Sequence, residues 1–92
     1  MVAIIATLVS TDVKTLSEIC KSHLERQRLL EVGCTRCDMF ISGDTIKLIE
    51  QWETEEDYMY HQTTENLKLF KTLIEPLITD LNIEYYSFVC NY

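Results

Sequence analysis

The sequence predicts an α+β fold of the ferredoxin-like type, a four-stranded antiparallel sheet with its helices on one face. Three observations lead to this prediction. Apolar residues follow strand or helix spacing in the order strand, helix, strand, strand, helix, strand. Gly43-Asp44, a two-residue turn with glycine first, predicts a hairpin between the two central strands. The length of 92 residues fits one domain, which we assign to residues 1–92.

The first two elements are a strand and a long helix. Residues 2–9 are apolar and β-branched, which predicts the first strand. Ser10-Thr11-Asp12 supplies an N-cap for a helix over residues 12–31. Gly33 is expected to end this helix in the left-handed conformation. One side of the helix carries Val13, Leu16, Ile19, Cys20, Leu24, Gln27 and Leu30.

The hairpin turn fixes the register of the strands predicted over residues 34–42 and 45–53. The expected pairs are Ile41 with Ile46, Met39 with Leu48, Cys37 with Glu50 and Thr35 with Trp52. These eight residues share the face that the helices are expected to cover. The opposite face is mixed and carries Arg36, Asp38, Phe40, Lys47, Ile49, Gln51 and Glu53.

The second half of the chain predicts two helices and a last strand. The segment 54–57, Thr-Glu-Glu-Asp, is close to a capping box and opens a helix that runs to about Gln62. Thr63-Thr64 allows a break and a new cap before a helix over residues 65–80, which Pro76 weakens or kinks. Its apolar stripe comprises Leu67, Phe70, Leu73, Ile74, Leu77, Ile78 and Leu81. Residues 83–90 form the last strand.

The first and last strands are apolar on both faces, and the chain has no further helix to cover the second one. An apolar sheet face needs a cover, and a domain of this length has a marginal core by itself. We therefore expect a homodimer that packs sheet against sheet.

The net negative charge of the chain argues against two classes of binding partner. Eight basic and 15 acidic residues give a net charge of −7, which argues against nucleic-acid binding and against an anionic membrane surface. Residues 2–9 are too short to span a bilayer and lack the basic start of a signal peptide, so we expect a cytoplasmic protein.

Cys34 and Cys37 form a C-x-x-C motif within a predicted strand. Residues three apart in a regular strand point to opposite faces. They can neither bridge nor share a metal unless the strand bends locally, and no second ligand pair is present. We expect reduced thiols and no metal site.

The segment 50–61 brings together a carboxylate, an indole, a phenol and an imidazole: Glu50, Trp52, Tyr58 and His61. His61 follows Tyr58 by one helical turn and could face a cavity between sheet and helices as a base or a donor to an anion. Glu50, on a covered face, is a candidate base or the partner that orients His61, although a structural hydrogen bond to the backbone or near Arg36 at the dimer edge is the preferred interpretation. His23, four residues after Ile19, could reach the far side of the cavity, but a solvated edge is the preferred interpretation.

The spacing of these residues resembles the antibiotic biosynthesis monooxygenase family. The pattern that carries the resemblance is Glu31-x-Gly33-Cys34, Phe40-x-x-Gly43-Asp44, Glu50-x-Trp52-Glu53-x-Glu55-x-x-Tyr58-x-x-His61, Phe70 and Leu77. The resemblance implies a dimeric α/β barrel that oxygenates an aromatic or quinol-like molecule with O₂ and without a cofactor or metal. From their expected positions around the cavity, His61 and Glu50 are the candidate catalytic residues. The candidate substrate contacts are Trp52, Tyr58, Cys37, Met39, Phe70 and Tyr85.

Other functions of similar folds remain open at this stage. Haem-degrading relatives use an Asn, a Trp and a His where this chain has Thr7, His61 and Lys71, which makes haem breakdown a poor fit. A non-catalytic dimer that binds a small ligand is the first alternative. An isomerase of a small phosphorylated metabolite is the second, and it would need more cations than the apolar faces offer.

Overall fold

The computed structural model describes residues 1–92. The chain forms β1 (Val2–Ser10), α1 (Val13–Leu30), β2 (Cys34–Ser42), β3 (Thr45–Trp52), α2 (Glu55–His61), α3 (Glu65–Ile74) and β4 (Ile78–Ser87). The strands make one antiparallel sheet in the order β2-β3-β1-β4. The helices lie on one face, so the predicted ferredoxin-like α+β fold is confirmed.

The core lies between this covered face and the helices. Its larger part joins Leu8 and Ile46 of the sheet to Leu16 of α1 and Phe70 of α3. A smaller part gathers Val2, Ile4, Cys34 and Trp52 at the other end of the sheet. Strand residues alternate between the two faces, which is why the buried residues of β1 and β3 all lie at even-numbered positions, where only Ala6 and Glu50 are half-buried.

The hairpin forms at Gly43, whose φ of 59° lies in the left-handed region that glycine adopts without strain. The predicted pairs from Ile41–Ile46 to Cys37–Glu50 are confirmed. The pairing of Thr35 with Trp52 is wrong, because the register shifts between Cys34 and Arg36 and Trp52 pairs with Cys34. This shift is a β-bulge, in which one strand carries an extra residue.

The bulge also corrects the expectation for the two neighbouring cysteines. Cys34 and Cys37 pair with Trp52 and Glu50, which are two residues apart on β3 and share a face. Both thiols therefore lie on the covered side of the sheet, and both contact the core around Trp52. They are free thiols.

Gly33 does not have the left-handed conformation that was expected, since Gly43 is the only residue with a positive φ. Its role is steric. A Cβ atom at position 33 would lie 2.4 Å from the Cγ of Asp57, so the absence of a side chain allows α2 to approach this loop. The Gly33 carbonyl also accepts a hydrogen bond from the Glu53 N–H at 2.8 Å.

The last helix is shorter than predicted and the last strand begins earlier. The helix ends at Ile74 instead of reaching residue 80, and Ile78 and Leu81 lie in β4 instead of on a helical stripe. Pro76 explains the error, because proline has no N–H for the helical ladder and its ring clashes with the preceding turn. The Ser10 hydroxyl donates to the Leu77 carbonyl at 2.6 Å and holds the tight connection against β1.

The face of the sheet without helices is partly apolar. Phe40 is 57% exposed and Tyr86 is 47% exposed, and Ile5 and Ile49 between them are half-buried. No helix of the chain is long and apolar enough to cross a membrane.

Candidate functional site

A cleft opens on the covered side of the sheet, between α2 and α3 on one side and β1 and β4 on the other. The space that water-sized molecules can occupy in it is about 100 Å³. The apolar wall comprises Ile4, Ala6, Leu8, Leu48, Leu67, Phe70, Ile74, Leu81 and Ile83. The polar groups are His23, Glu50, Tyr58, His61, Gln62 and Lys71. An apolar cleft with a few convergent polar groups is the usual form of a small-molecule site.

His61, the last residue of α2, is buried and lines this cleft, as the sequence predicted. Its Nδ1 lies 2.8 and 3.0 Å from the two carboxylate oxygens of Glu31. A carboxylate can only accept, so Nδ1 is the nitrogen that donates. In the neutral ring, the lone pair therefore belongs to Nε2, which has no hydrogen-bond partner within the chain.

The chain around His61 fixes the orientation of the imidazole. Glu31 is the residue that caps the C-terminus of α1, and its side chain is only 8% exposed. The ring of Trp52 lies 4.6 Å from the ring of His61, centroid to centroid. A carboxylate on one edge and an indole beside the ring leave the imidazole little freedom to turn.

Glu50 lines the cleft, but it does not orient His61. Its carboxylate accepts hydrogen bonds from Trp52 Nε1 at 3.1 Å and from Gln27 Nε2 at 3.0 Å. The proposed Glu50–His61 pairing is therefore wrong, and Glu31 takes that place. Glu31 belongs to the sequence pattern discussed above, but helix spacing alone gives no sign that the end of α1 meets the end of α2.

His23 is 1% exposed, so the expected solvated edge is wrong. Its ring stacks on Phe70 with 3.9 Å between centroids and lies 6.4 Å from the ring of His61. Burial, together with the nearby charges of His61 and Arg26, lowers the pKa of His23 from 6.5 to about 4. His23 is thus a neutral group at neutral pH. The signal for burial was its helical spacing, three residues after Cys20 and four before Gln27, both of which are buried.

Tyr58 stands one helical turn before His61 and also lines the cleft. Burial raises the pKa of its phenol, and the nearby carboxylate of Glu50 and the phenol of Tyr85 raise it further. The hydroxyl therefore keeps its proton at neutral pH and can donate to an anionic oxygen. Tyr85 stands 5.9 Å from Tyr58, ring to ring, and is 48% exposed.

Of the remaining predicted site residues, Phe70 lines the cleft as expected. Trp52, Cys37 and Met39 do not reach the cleft, because they pack in or against the core. Burial, with the neighbouring Cys34 and Glu50, raises the pKa of Cys37 to about 12, so its thiol stays protonated. The structure thus brings together His61, Glu50, Tyr58 and Phe70 of the predicted set and adds His23 and Glu31.

The fold of the chain is shared by several proteins of known structure. A protein from Caulobacter crescentus, provisionally named an antibiotic biosynthesis monooxygenase, superposes with a TM-score of 0.89 at 18% identity over 96% of this chain and 89% of its own. The chain has the fold of the antibiotic biosynthesis monooxygenases. A Nitrosomonas europaea protein with the same provisional name gives 0.88 at 19% identity over 98% of this chain and all of its own, 100%.

A third similar structure carries no function in its name. It is a conserved protein from Methanosarcina mazei, with a TM-score of 0.84 at 20% identity over 92% of this chain and 89% of its own. No model of a protein family and no curated protein matches the sequence. At these identities the likeness establishes the fold, and the function has to be argued from the cleft.

Proposed function

We propose that the protein is a monooxygenase that oxidises a small aromatic, quinol-like substrate with O₂ in the cleft, without a flavin, haem or metal. The observation that carries the proposal is the buried His61, which lines the cleft, has its Nδ1 held by Glu31 and leaves its Nε2 without a partner in the chain. A base in an apolar, partly enclosed site suits the chemistry, because the reactive form of such a substrate is its anion.

The reaction begins with a proton transfer. His61 Nε2 takes a proton from a phenolic hydroxyl or an activated ring CH₂, and the Glu31 carboxylate stabilises the resulting imidazolium. Tyr58, which keeps its proton, donates a hydrogen bond to the substrate oxygen on which the negative charge develops. The apolar wall limits water, so this charge is met by the placed donors of the cleft.

Oxygen then completes the reaction without an external reductant. The substrate anion transfers one electron to O₂, and the radical pair joins to form a carbon–oxygen bond and a peroxide anion. The protonated His61 returns its proton to the peroxide and gives a hydroperoxide. The neutral imidazole then removes the second hydrogen of the same carbon as a proton, the electron pair of that C–H bond forms the C=O bond, and the oxygen–oxygen bond breaks. The hydroxide that leaves takes this proton from His61 and becomes water. One oxygen atom stays as a new carbonyl, so a ring CH₂ becomes C=O while O₂ supplies the carbonyl oxygen and the oxygen of the water.

Oxygen uptake tests this proposal. The protein is incubated with a panel of hydroquinones and anthrone-like phenols, and uptake is compared with the autoxidation rate. We expect uptake above autoxidation for the wild type and a loss of about 10²- to 10⁴-fold in His61→Ala, the range that general base catalysis contributes. Lys68→Ala is the control, because Lys68 is exposed and lies outside the cleft.

Two further measurements separate loss of chemistry from loss of fold. Circular dichroism checks the fold of each variant, and the fluorescence of Trp52, the single tryptophan, reports binding next to His61. His61→Gln keeps a polar side chain of similar reach in case the alanine variant does not fold. Equal uptake by wild type and folded variants would overturn the proposal.

A non-catalytic ligand-binding module is the second candidate, and the apolar wall favours it because apolar walls bind ligands without any chemistry. It predicts saturable quenching of Trp52 fluorescence with no oxygen uptake above autoxidation. An isomerase of a phosphorylated metabolite is disfavoured, because Lys71 is the only lysine or arginine that lines the cleft.

A further inference from the structure

The cleft contains one cation that the proposed reaction does not use. Lys71 lines the apolar wall from α3, together with Leu67, Phe70 and Ile74 at helical spacing. The ion pairs of the chain join Arg36 to Asp38, His61 to Glu31 and Lys68 to Glu65, so Lys71 has no ion-pair partner. In a chain of net charge −7, an unpaired ammonium group beside an apolar cleft is available to a ligand.

The only carboxylate in the cleft is already satisfied. Glu50 accepts from the Trp52 indole and the Gln27 amide, and both donors are fixed in the protein. These two donors hold the Glu50 carboxylate, and no ion pair joins it to Lys71.

We propose that Lys71 selects aromatic ligands that carry a carboxylate. The ligand places its ring against the apolar wall and its phenolic end at His61 and Tyr58, while its carboxylate pairs with the Lys71 ammonium. Lys71 sets this orientation, because it is the only lysine or arginine that lines the cleft and its charge attracts the carboxylate. The proposal refines the substrate class of the function proposed above, and it concerns binding only.

The position of Lys71 in the last turn of α3 gives a competing explanation for why a positive charge is found there. A cation there interacts favourably with the carbonyl end of the helix, typically by about 0.3–1 kcal/mol. The two explanations differ in what a ligand experiences, since the helix effect does not depend on the charge of a ligand in the cleft.

Calorimetric titration with a matched pair of probes tests the proposal. The probes are 6-hydroxy-2-naphthoate and 6-hydroxy-2-naphthamide, which share the ring and the phenol and differ in charge. We expect the wild type to bind the carboxylate about fivefold more tightly than the amide, as for a partly exposed ion pair, with a smaller ratio at high salt. Lys71→Met, which keeps an apolar stem, should remove this ratio and leave the affinity for the amide unchanged.

Lys68→Met is the matched control, because Lys68 lies on the same helix but outside the cleft and pairs with Glu65 at 3.2 Å. It should keep the wild-type ratio. Equal affinities of the wild type for the two probes, an equal loss for both probes in Lys71→Met, or no binding of either probe would overturn the proposal. The oxygen-uptake assay with neutral phenols judges the proposed reaction independently, because those substrates carry no carboxylate.

Discussion

At the scale of single residues, the contact between Glu31 and His61 determines which imidazole nitrogen can act as a base. The two distances of 2.8 and 3.0 Å place the whole carboxylate against Nδ1. His23, nearby, has the opposite character, since burial holds its pKa near 4 and keeps it neutral. The two histidines of the cleft therefore have different surroundings: His61 contacts the Glu31 carboxylate, whereas His23 stacks on the Phe70 ring.

The role of Glu31 is testable with a substitution that keeps its shape. Glu31→Gln removes the charge that stabilises the protonated ring, so oxygen uptake on the responsive phenol should fall by at least about tenfold. Nitrogen NMR of the imidazole should show at the same time that His61 no longer has one fixed tautomer. Glu25→Gln, at an exposed position of α1, is the control and should change neither measurement. A normal rate in a folded Glu31→Gln protein would contradict this role.

The lowered pKa of His23 predicts a pH dependence of stability. Between pH 6.5 and about 4 the unfolded chain protonates this ring and the folded chain does not. The unfolded state then binds more protons, so the free energy of unfolding falls as the pH falls through this window. Urea unfolding at pH 7 and pH 4.5 measures the loss, which His23→Gln should reduce. The same loss in the variant and the wild type would contradict the prediction.

At the scale of elements, α2 is positioned by its two ends. Thr54 caps its start by accepting from the Asp57 N–H at 3.1 Å, and His61 ties its end to Glu31. Beside it, Gly33 leaves the space that the Asp57 side chain fills. The close approach of Gly33 to Asp57 therefore brings the start of α2 against the loop after α1. The position of His61 at the end of α2 depends on this contact.

This close approach predicts the effect of a single methyl group. Gly33→Ala would place a Cβ 2.4 Å from Asp57 Cγ, and the resulting shift should lower the free energy of unfolding by about 1–3 kcal/mol. Asp57→Gly removes all three atoms that a Cβ at position 33 would meet, the Cγ at 2.4 Å, the Cβ at 2.6 Å and the Oδ2 at 2.7 Å, so the substitution at position 33 should cost less in that background. Urea unfolding of the four proteins in the double-mutant cycle measures this difference. Equal costs in both backgrounds would rule out the steric explanation.

At the scale of the whole molecule, the sheet is covered on one face only. The uncovered face exposes Phe40 and Tyr86 around the half-buried Ile5 and Ile49, with charged side chains between them. Apolar sheet faces of this kind are normally covered by another layer. A second copy of the chain remains our prediction for that layer.

The dimer prediction is checked by sedimentation. We expect a particle of twice the chain mass of 10.8 kDa, and we expect Phe40→Asp to shift it towards the monomer because a charge would be buried in the interface. Val32→Asp is the control, since Val32 is 98% exposed on the loop after α1. A wild-type particle that sediments as a single chain would contradict the prediction.

Sequence patterns determined the elements that depend on local chemistry. The hairpin at Gly43, the cap at Thr54 and the strands with a two-residue period are all confirmed, because turn geometry, capping and alternation act within a few residues. Apolar spacing failed where a local breaker competed with it. Pro76 ended α3 early, and the apolar residues beyond it paired with β1 as β4.

The sequence by itself determined the order of the elements and the face of the sheet that is buried, and it made His61 a candidate for the cleft. Only the tertiary structure decided that Glu31 and not Glu50 holds His61, that His23 is buried and that Cys34 and Cys37 share a face. The reason is physical. Periodicity reports which way a side chain points from its own helix or strand, whereas a partner 30 residues away is set by how helices cross and where a strand bulges.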